Sequence, residues 1–142
     1  MTTRRLTVDT SVAVPLLVGS HVQHRQIAEW ADGRTLNLSG HALAETYSVL
    51  TRLPGDARVA PTDAVNLIDE NFDETLVLSA AVMQSAHRVF AERGIAGGAT
   101  YDGLVALAAR EHNAVLVTRD ARARSTYEVL GVAVEVLPVD IS

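Results

Sequence analysis

The sequence predicts an α/β fold in which helices cover both faces of a parallel β-sheet. One observation is that short apolar runs, rich in β-branched residues, alternate along the chain with longer segments of helical apolar spacing. Strands that are joined through helices pair in parallel and lie between two helical layers. A second observation is that the chain has 142 residues, of which 48% are hydrophobic. This is enough for one domain with a buried core, and we expect a single domain over residues 1–142.

The sequence contains five candidate strands and seven candidate helices. The strands that we expect are Leu6–Val8, Thr35–Leu38, Leu76–Leu78, Ala114–Val117 and Val132–Val136. The helices that we expect are Val12–Val18, His21–Trp30, Ala42–Leu53, Pro61–Ile68, Ser79–Gly94, Tyr101–His112 and a segment within Arg119–Leu130. Predicted N-caps, from their side-chain type and position, are Thr10 or Ser11, Ser39 and Thr100, whereas Ser79 is predicted to start its helix. Periodicity alone does not give the order of the strands in the sheet.

The composition excludes several kinds of chemistry. The chain has no cysteine, which excludes disulfides, thiolate nucleophiles and cysteine zinc sites. All 12 basic residues are arginine, so no mechanism can use a catalytic lysine. No apolar run approaches the roughly 20 residues that span a membrane, and the N-terminus lacks the apolar segment of a signal peptide. We therefore expect a cytoplasmic protein that does not contact a membrane.

Asp9 is the most informative residue of the chain. It directly follows the apolar run Leu6–Val8, and two hydroxyl residues, Thr10 and Ser11, come after it. In open parallel sheets, ligands bind beyond the C-terminal ends of the strands. An acidic residue that ends an apolar strand is unusual for a simple surface charge. Asp9 is therefore predicted to lie at the edge of the sheet where this fold keeps its chemistry.

Three further acidic residues have similarly unusual positions. Glu45 lies within a helix on the same face as Ala42 and Val49, and it could instead be a boundary residue paired with an arginine. Asp102 shares a helix face with Val105 and Ala106, although a first-turn acid interacting with the helix dipole would have the same position.

Asp120 follows the apolar strand that ends near Val117, and it could simply cap the next helix. Taken together, the four acids are more specific than any one of them. Four carboxylates brought together repel one another and raise their own pKa values, and a hard divalent cation removes that cost. Mg²⁺ prefers oxygen ligands and suits phosphate chemistry, so the pattern favours a metal site that acts on phosphodiesters.

Four short segments carry these acids, and their order and spacing resemble a known family. The segments are Val8-Asp9-Thr10-Ser11, Leu43-Ala44-Glu45, Tyr101-Asp102-Gly103-Leu104 continuing to Ala108, and Val117-Thr118-Arg119-Asp120. Together they resemble a PIN domain, and in particular the VapC-type toxin nucleases of bacterial toxin–antitoxin pairs. The resemblance covers nearly the whole chain.

The resemblance implies both a fold and an activity. The implied fold is a three-layer α/β/α domain whose five-stranded parallel sheet has the order 3-2-1-4-5. The implied activity is that of a toxin endoribonuclease dependent on Mg²⁺ or Mn²⁺. Its catalytic and metal-binding residues would be Asp9, Glu45, Asp102 and Asp120, with Ser11 and Thr118 as supporting polar residues. The resemblance also implies a homodimer and a cognate antitoxin that binds across the early helices and the acidic site.

The expected contacts with partners follow from charge and hydrophobicity. The net charge of −5 gives no general basic surface for nucleic acid, so a local grip on RNA phosphate would depend on Arg119, Arg122 and Arg124. These arginines could equally form a solvated helix face. The early helices carry apolar residues that we expect to meet an antitoxin or a second subunit in part, namely Val12, Val14, Leu16, Leu17 and Ile27.

Other functions have weaker support in the sequence. His21 and His24 could lie on one helix face, but no third metal ligand has a suitable spacing. An aspartyl phosphatase would usually need a second acid where Ser11 stands, and a receiver domain would need a lysine. The alternative that remains open is a non-catalytic PIN-like module that binds RNA or protein.

Overall fold

The computed structural model describes residues 4–138, and these form five β-strands and seven α-helices. The strands are β1 (Leu6–Val8), β2 (Leu36–Ser39), β3 (Thr75–Leu76), β4 (Val115–Thr118) and β5 (Val134–Val136). The helices are α1 (Thr10–Leu17), α2 (His24–Ala31), α3 (Gly40–Thr51), α4 (Pro61–Asn71), α5 (Ala80–Arg93), α6 (Ala99–Glu111) and α7 (Ala121–Val129), with a 3₁₀ turn at Gly55–Ala57. Residues 1–3 and 139–142 of the expected domain lie outside the described residues.

The sheet is parallel throughout, and its order is β3-β2-β1-β4-β5. This confirms the order 3-2-1-4-5. β1 is the central strand, and its last residue, Val8, pairs with Leu38 of β2 and with Val117 of β4. The C-terminal ends of these three strands therefore lie side by side at one edge, which we call the carboxyl edge of the sheet.

The core occupies both faces of the sheet. Thr7 and Val8 are consecutive in β1, so their side chains point to opposite faces, and both are fully buried. The same holds for Asn37 and Leu38 in β2. Burial on both sides requires helices on both faces, which is the predicted α/β/α arrangement. Within the described residues, no helix is long and apolar enough to cross a membrane.

One predicted N-cap, Ser39, is confirmed, two predictions are wrong, and Ser79, predicted as the first residue of its helix, is the N-cap of that helix. Ser39 and Ser79 each accept a backbone hydrogen bond in the first turn of α3 and α5. Neither Thr10 nor Ser11 caps α1, because the carboxylate of Asp9 itself accepts from the backbone N–H of Ser11. Thr100 lies inside α6, which already begins at Ala99 because the turn before it brings the Thr100 N–H to the carbonyl of Gly97.

Several predicted boundaries differ from the observed ones. α2 begins at His24 and not at His21, because His21 to Gln23 form a hydrogen-bonded turn. β3 ends at Leu76, and the following Val77 is 62% exposed. β5 is also shorter than predicted. The elements themselves and their order are nevertheless as the sequence predicts.

The early apolar helices keep most of their hydrophobic surface inside the protein. Val12, Leu17 and Ile27 are buried in the core of this chain. Val14 and Leu16 are only partly buried. Of the five apolar residues that we expected to meet a partner, only Val14 and Leu16 therefore keep exposed surface for that contact.

Candidate active site

Asp9 is held in one orientation by three hydrogen bonds. Its Oδ1 accepts from the backbone N–H of Ser11 at 3.1 Å and from the Ser11 hydroxyl at 2.5 Å. Its Oδ2 accepts from the hydroxyl of Tyr127 at 2.8 Å. A carboxylate has about four lone-pair positions, so these donors leave acceptor capacity free on Oδ2. The carboxylate is thus fixed without being saturated.

The environment of Asp9 opposes its ionisation. The residue is only 6% exposed, and this burial raises the pKa of its carboxyl group above the ordinary value of 3.8. Hydrogen bonds from Ser11, Thr118 and Tyr127 lower the pKa and offset part of the effect. Among residues 4–138, no ion pair involves Asp9. A buried carboxylate with hydrogen-bond donors but without a cationic partner is suited to binding a cation.

Ser11 and Thr118 connect the ends of β1 and β4. The Ser11 hydroxyl donates to Asp9 and accepts from the backbone N–H of Arg119 at 2.8 Å. It also lies 3.3 Å from the Thr118 hydroxyl, which in turn accepts from the backbone N–H of Asp120 at 3.0 Å. The two hydroxyls therefore link the backbone that carries Asp120 to the carboxylate of Asp9.

A proline in α1 explains the position of the Arg119 side chain. Pro15 has no N–H, so it cannot donate to the carbonyl four residues earlier, which belongs to Ser11. The guanidinium of Arg119 donates to this free carbonyl at 2.9 Å. The loop after β4 is thereby attached to α1 beside Asp9.

Asp102 lies in the first turn of α6 and interacts electrostatically with the other three predicted acids. Partial burial raises the pKa of its carboxyl group, and the negative charges of Asp9, Asp120 and Glu45 raise it further, in that order. These charges act only because the four side chains share the carboxyl edge of the sheet. The fold thus brings the four predicted acids into one electrostatically coupled group.

The four acids differ in how they are held. Asp120 caps α7 by accepting from the N–H of Arg122 at 2.9 Å, so its structural role as an N-cap is real. Glu45 is half-exposed in α3, with an oxygen 3.5 Å from Nε2 of His41. Between residues 4 and 138, no three His, Asp or Glu side chains stand close enough to enclose a metal ion by themselves.

The three arginines beside Asp120 are held differently from one another. The guanidinium of Arg119 bonds to Ser11, and that of Arg124 pairs with Glu128 one turn later in α7. The side chain of Arg122 is 97% exposed, with Nε 3.7 Å from Asp120. Arg122 is therefore the one of the three whose head group extends into solvent beside the acidic group.

His21 and His24 stabilise the turn between α1 and α2. Nδ1 of His21 accepts from the backbone N–H of Gln23, and Nδ1 of His24 lies 2.9 Å from the carbonyl of Pro15. The second contact supports the sequence-based preference against a histidine metal site.

Tyr127 is a hydrogen-bond partner of Asp9 that the sequence analysis missed. It comes from α7, is 1% exposed and donates to Asp9 across 118 residues of sequence. Burial and the neighbouring charge of Asp9 raise the pKa of its hydroxyl, which therefore stays protonated and donates. A tyrosine within a helix resembles any other core aromatic, so no local signal distinguishes it. Only the packing of α7 against the end of β1 does so.

Known proteins place the chain in a family. A model of the PIN domain matches residues 6–129. Ribonuclease VapC27 of Mycobacterium tuberculosis is 57% identical over 131 residues, which cover 92% of this chain and 96% of that protein. Ribonuclease VapC40 of the same species is 44% identical over 131 residues, covering 91% of this chain and 96% of that protein.

Solved structures show the same fold at much lower sequence identity. VapBC2 from Rickettsia felis, solved with a promoter DNA fragment, aligns with a TM-score of 0.66 at 17% identity and covers 94% of this chain and 98% of its own. The Mycobacterium tuberculosis toxin VapC20, which cleaves the sarcin–ricin loop, aligns with a TM-score of 0.64 at 20% identity. The alignment covers 84% of this chain and 93% of VapC20. With its sheet order, its four acids at the carboxyl edge and these relatives, the chain belongs to the PIN-domain family, among the VapC ribonucleases.

Proposed function

We propose that this protein is a metal-dependent endoribonuclease of a single domain and the toxin of a toxin–antitoxin pair. The observation that carries the proposal is the coupled group of four acids at the carboxyl edge, centred on a buried and pre-oriented Asp9. The 57% identity to ribonuclease VapC27 supports the same activity.

The residues of the acidic group fit a hard divalent cation. All four side chains offer carboxylate oxygens, which Mg²⁺ and Mn²⁺ prefer as ligands. Mg²⁺ is usually held by one or two carboxylates and keeps several waters, so it does not need three protein ligands around one point. Burial and then the negative charges of Asp9, Asp120 and Glu45 raise the pKa of Asp102, and a bound cation would relieve the repulsion among these acids. When bound, such a cation activates water and stabilises negative charge on the phosphodiester.

Each acid has a distinct role in the proposal. Asp9 and Asp102 would hold the cation directly, because Asp9 is buried and Asp102 is partly buried near the negative charges of the other three acids. Glu45 and Asp120 would complete the site, partly through water, and would orient the attacking water molecule. Its oxygen attacks phosphorus in line, the bond from phosphorus to the 3′ oxygen breaks, and that oxygen takes a proton. The products carry a 5′-phosphate and a 3′-hydroxyl.

The remaining polar residues position the site or the substrate. Ser11 and Thr118 fix the position of the Asp120 backbone relative to the carboxylate of Asp9. We assign phosphate contacts to Arg119, Arg122 and Arg124, with Arg122 foremost because its side chain is exposed beside Asp120.

A cognate antitoxin and a second subunit complete the proposal. Structural neighbours of this chain include VapBC complexes bound to DNA from Rickettsia felis and Salmonella typhimurium. We propose that an antitoxin covers α1 and the acidic site of this protein, and that two copies of the chain form a homodimer.

Cleavage of RNA by the purified protein tests the function. We expect total cellular RNA to be cut in the presence of Mn²⁺ or Mg²⁺ and left intact in EDTA. The variants Asp9→Asn and Asp102→Asn are expected to cut at least about 100-fold more slowly, since each loses a charge that holds the cation. Asp73→Asn is the matched control, because Asp73 is an exposed acid near the start of β2, at the opposite edge of the sheet. Undiminished cleavage by Asp9→Asn would favour the alternative, a non-catalytic binding module.

A further inference from the structure

An aromatic pair lies beside the acidic group. The rings of His41 and Tyr101 stack with centroids 5.4 Å apart and planes 12° from parallel. Tyr101 directly precedes Asp102 in α6, and His41 is one turn before Glu45 in α3. The pair therefore joins the two helices that carry two of the four acids. Tyr101 is 57% exposed, so much of its ring remains open to solvent.

A cleft of about 340 Å³ adjoins this pair. His41 belongs to both features, and the other residues that shape the cleft are mainly apolar: Val77, Leu78, Met83, Leu104 and Ala108. Tyr101, Leu104 and Ala108 have helical spacing, so they lie along one face of α6. Val77 and Met83 are 62% and 51% exposed, which is unusual for large apolar side chains. None of the described residues that line the cleft is an arginine.

The charge of the protein limits how it can hold RNA. Its net charge is −5, and the four acids lie where the phosphodiester must come. Phosphate contacts, which supply most of the affinity of basic nucleic-acid-binding proteins, are therefore scarce here. Stacking of a base on an aromatic side chain does not depend on charge and contributes about 5- to 150-fold in affinity per base. An exposed tyrosine at the rim of an acidic site supplies such a contact.

We propose that Tyr101, supported from behind by His41, and the adjoining cleft bind an unpaired nucleobase of the RNA next to the phosphodiester that is cut. The inference rests on the proposed ribonuclease function and names how that site recognises its substrate class. The open face of Tyr101 stacks on the base, and the apolar residues along α6 and at the start of α5 receive it. Only a base that is free of its complementary strand can enter, so the substrate is single-stranded or looped RNA.

Binding of RNA to the full-length chain in the Asp9→Asn background tests this inference. The probe is a short fluorescein-labelled oligoadenylate, followed by fluorescence anisotropy, with the same strand annealed to its complement for comparison. We expect Tyr101→Ala to weaken binding by about 5- to 150-fold, and Tyr101→Trp to retain it. Tyr47→Ala is the control, because Tyr47 is an exposed tyrosine of α3, whereas the ring that stacks on His41 beside the acids is that of Tyr101 in α6. The annealed duplex is expected to bind much more weakly than the single strand.

Three results would overturn the inference. One is equal affinity of the Tyr101→Ala variant and its parent for the single strand, and another is equal binding of duplex and single strand. The third is a Tyr101→Ala protein whose mass in light scattering falls from dimer to monomer, which would show that a second copy covers this face. If any of these results is obtained and the unmodified protein still cleaves RNA, the proposed nucleobase site is wrong and the proposed ribonuclease function is retained. If the unmodified protein cleaves no RNA with Mn²⁺, the function itself fails.

Discussion

Asp9 combines burial, charge and oriented hydrogen-bond donors, and these features predict how its removal affects stability. Its pKa is raised in the folded state, so the folded protein binds more protons than the unfolded chain at pH values between the ordinary 3.8 and the raised value. Without metal, the contribution of Asp9 to stability therefore falls as the pH rises through that window. The ionised carboxylate is a source of strain at neutral pH.

The first prediction is that Asp9→Asn is at least as stable as the unmodified protein in EDTA at pH 7. The difference in stability between the variant and the native protein should become smaller as the pH is lowered towards 4, because the carboxyl group of the native Asp9 is then also neutral. The variant should also gain less in melting temperature from added Mn²⁺. Thermal and urea unfolding at several pH values, with and without Mn²⁺, measure both effects. A variant that is less stable than the native protein at pH 7 in EDTA would mean that Asp9 has a structural role only.

The second prediction concerns the hydroxyl of Tyr127, which we regard as a positioning residue for Asp9. Tyr127→Phe keeps the buried ring and removes only the donor to Asp9 Oδ2. We expect a higher Mn²⁺ concentration for half-maximal cleavage and a smaller rise in melting temperature with Mn²⁺, because the carboxylate is no longer held in place. A stability loss of about 1–3 kcal/mol should accompany these changes.

Tyr47→Phe is the matched control for this experiment, because it removes a hydroxyl from an exposed tyrosine of α3. It should change neither measurement. If Tyr127→Phe lowers stability but leaves the Mn²⁺ requirement as it was, then the hydroxyl of Tyr127 stabilises the fold without positioning Asp9 for the cation.

At the scale of elements, the position of Asp102 depends on the contact between α5 and α6. Gly103 follows Asp102, and a Cβ atom built on it would lie 2.6 Å from the ring of Phe90 in α5. Phe90 is 4% exposed, so its ring has little room to move. The absence of a side chain at Gly103 therefore sets how closely α5 approaches the turn that carries Asp102.

The third prediction is that Gly103→Ala destabilises the protein, although alanine is the better helix former by about 1 kcal/mol. Overpacking against Phe90 costs about 1–3 kcal/mol, and the displaced first turn of α6 should slow RNA cleavage. Adding Phe90→Leu should recover part of the loss, which a double-mutant cycle of urea unfolding measures as a coupling energy. A Gly103→Ala protein that is more stable than the native one, with no coupling energy to Phe90, would contradict this prediction. It would show that α5 moves away from the added methyl group without loss of stability.

At the scale of the whole molecule, partners are expected where apolar surface stays uncovered. Val14 and Leu16 of α1 are only partly buried, whereas their neighbours Val12 and Leu17 belong to the core. Asp9 is the N-cap of the same helix, so we expect a partner on α1 to reach the acidic group and block it.

The fourth prediction is that the small protein encoded next to this gene binds the chain and inhibits RNA cleavage. Leu16→Ala should weaken that binding by about tenfold or more, since it removes apolar contact at a surface that the partner buries. Val129→Ala, at an exposed apolar residue of α7, should leave the binding unchanged. Calorimetry measures the affinities, and light scattering of the free chain gives the oligomeric state. A strictly monomeric chain that does not bind the neighbouring gene product would contradict this part of the proposal.

The local sequence determined the elements and the acids. Apolar runs and helical spacing are set by neighbouring residues, so the five strands, the helices and the cap at Ser39 could be predicted. The predicted N-caps were wrong at Thr100 for α6 and at Thr10 or Ser11 for α1. In both helices, other hydrogen bonds within a few residues determine where the first turn begins. The sheet order came from family resemblance, since periodicity carries no information about which strands are neighbours.

The four acids could be named from sequence because each breaks a local rule: a charge ends an apolar strand or lies on an apolar helix face. What holds them in place was decided by tertiary structure alone. The hydrogen bond from Tyr127 to Asp9, the bond from Arg119 to the carbonyl freed by Pro15, and the stack of His41 on Tyr101 all join residues far apart in the chain. Such contacts depend on how helices pack on the sheet, and packing is a property of the whole core rather than of any segment. The sequence therefore indicated which groups are candidates for the chemistry, and the fold determined how they are oriented.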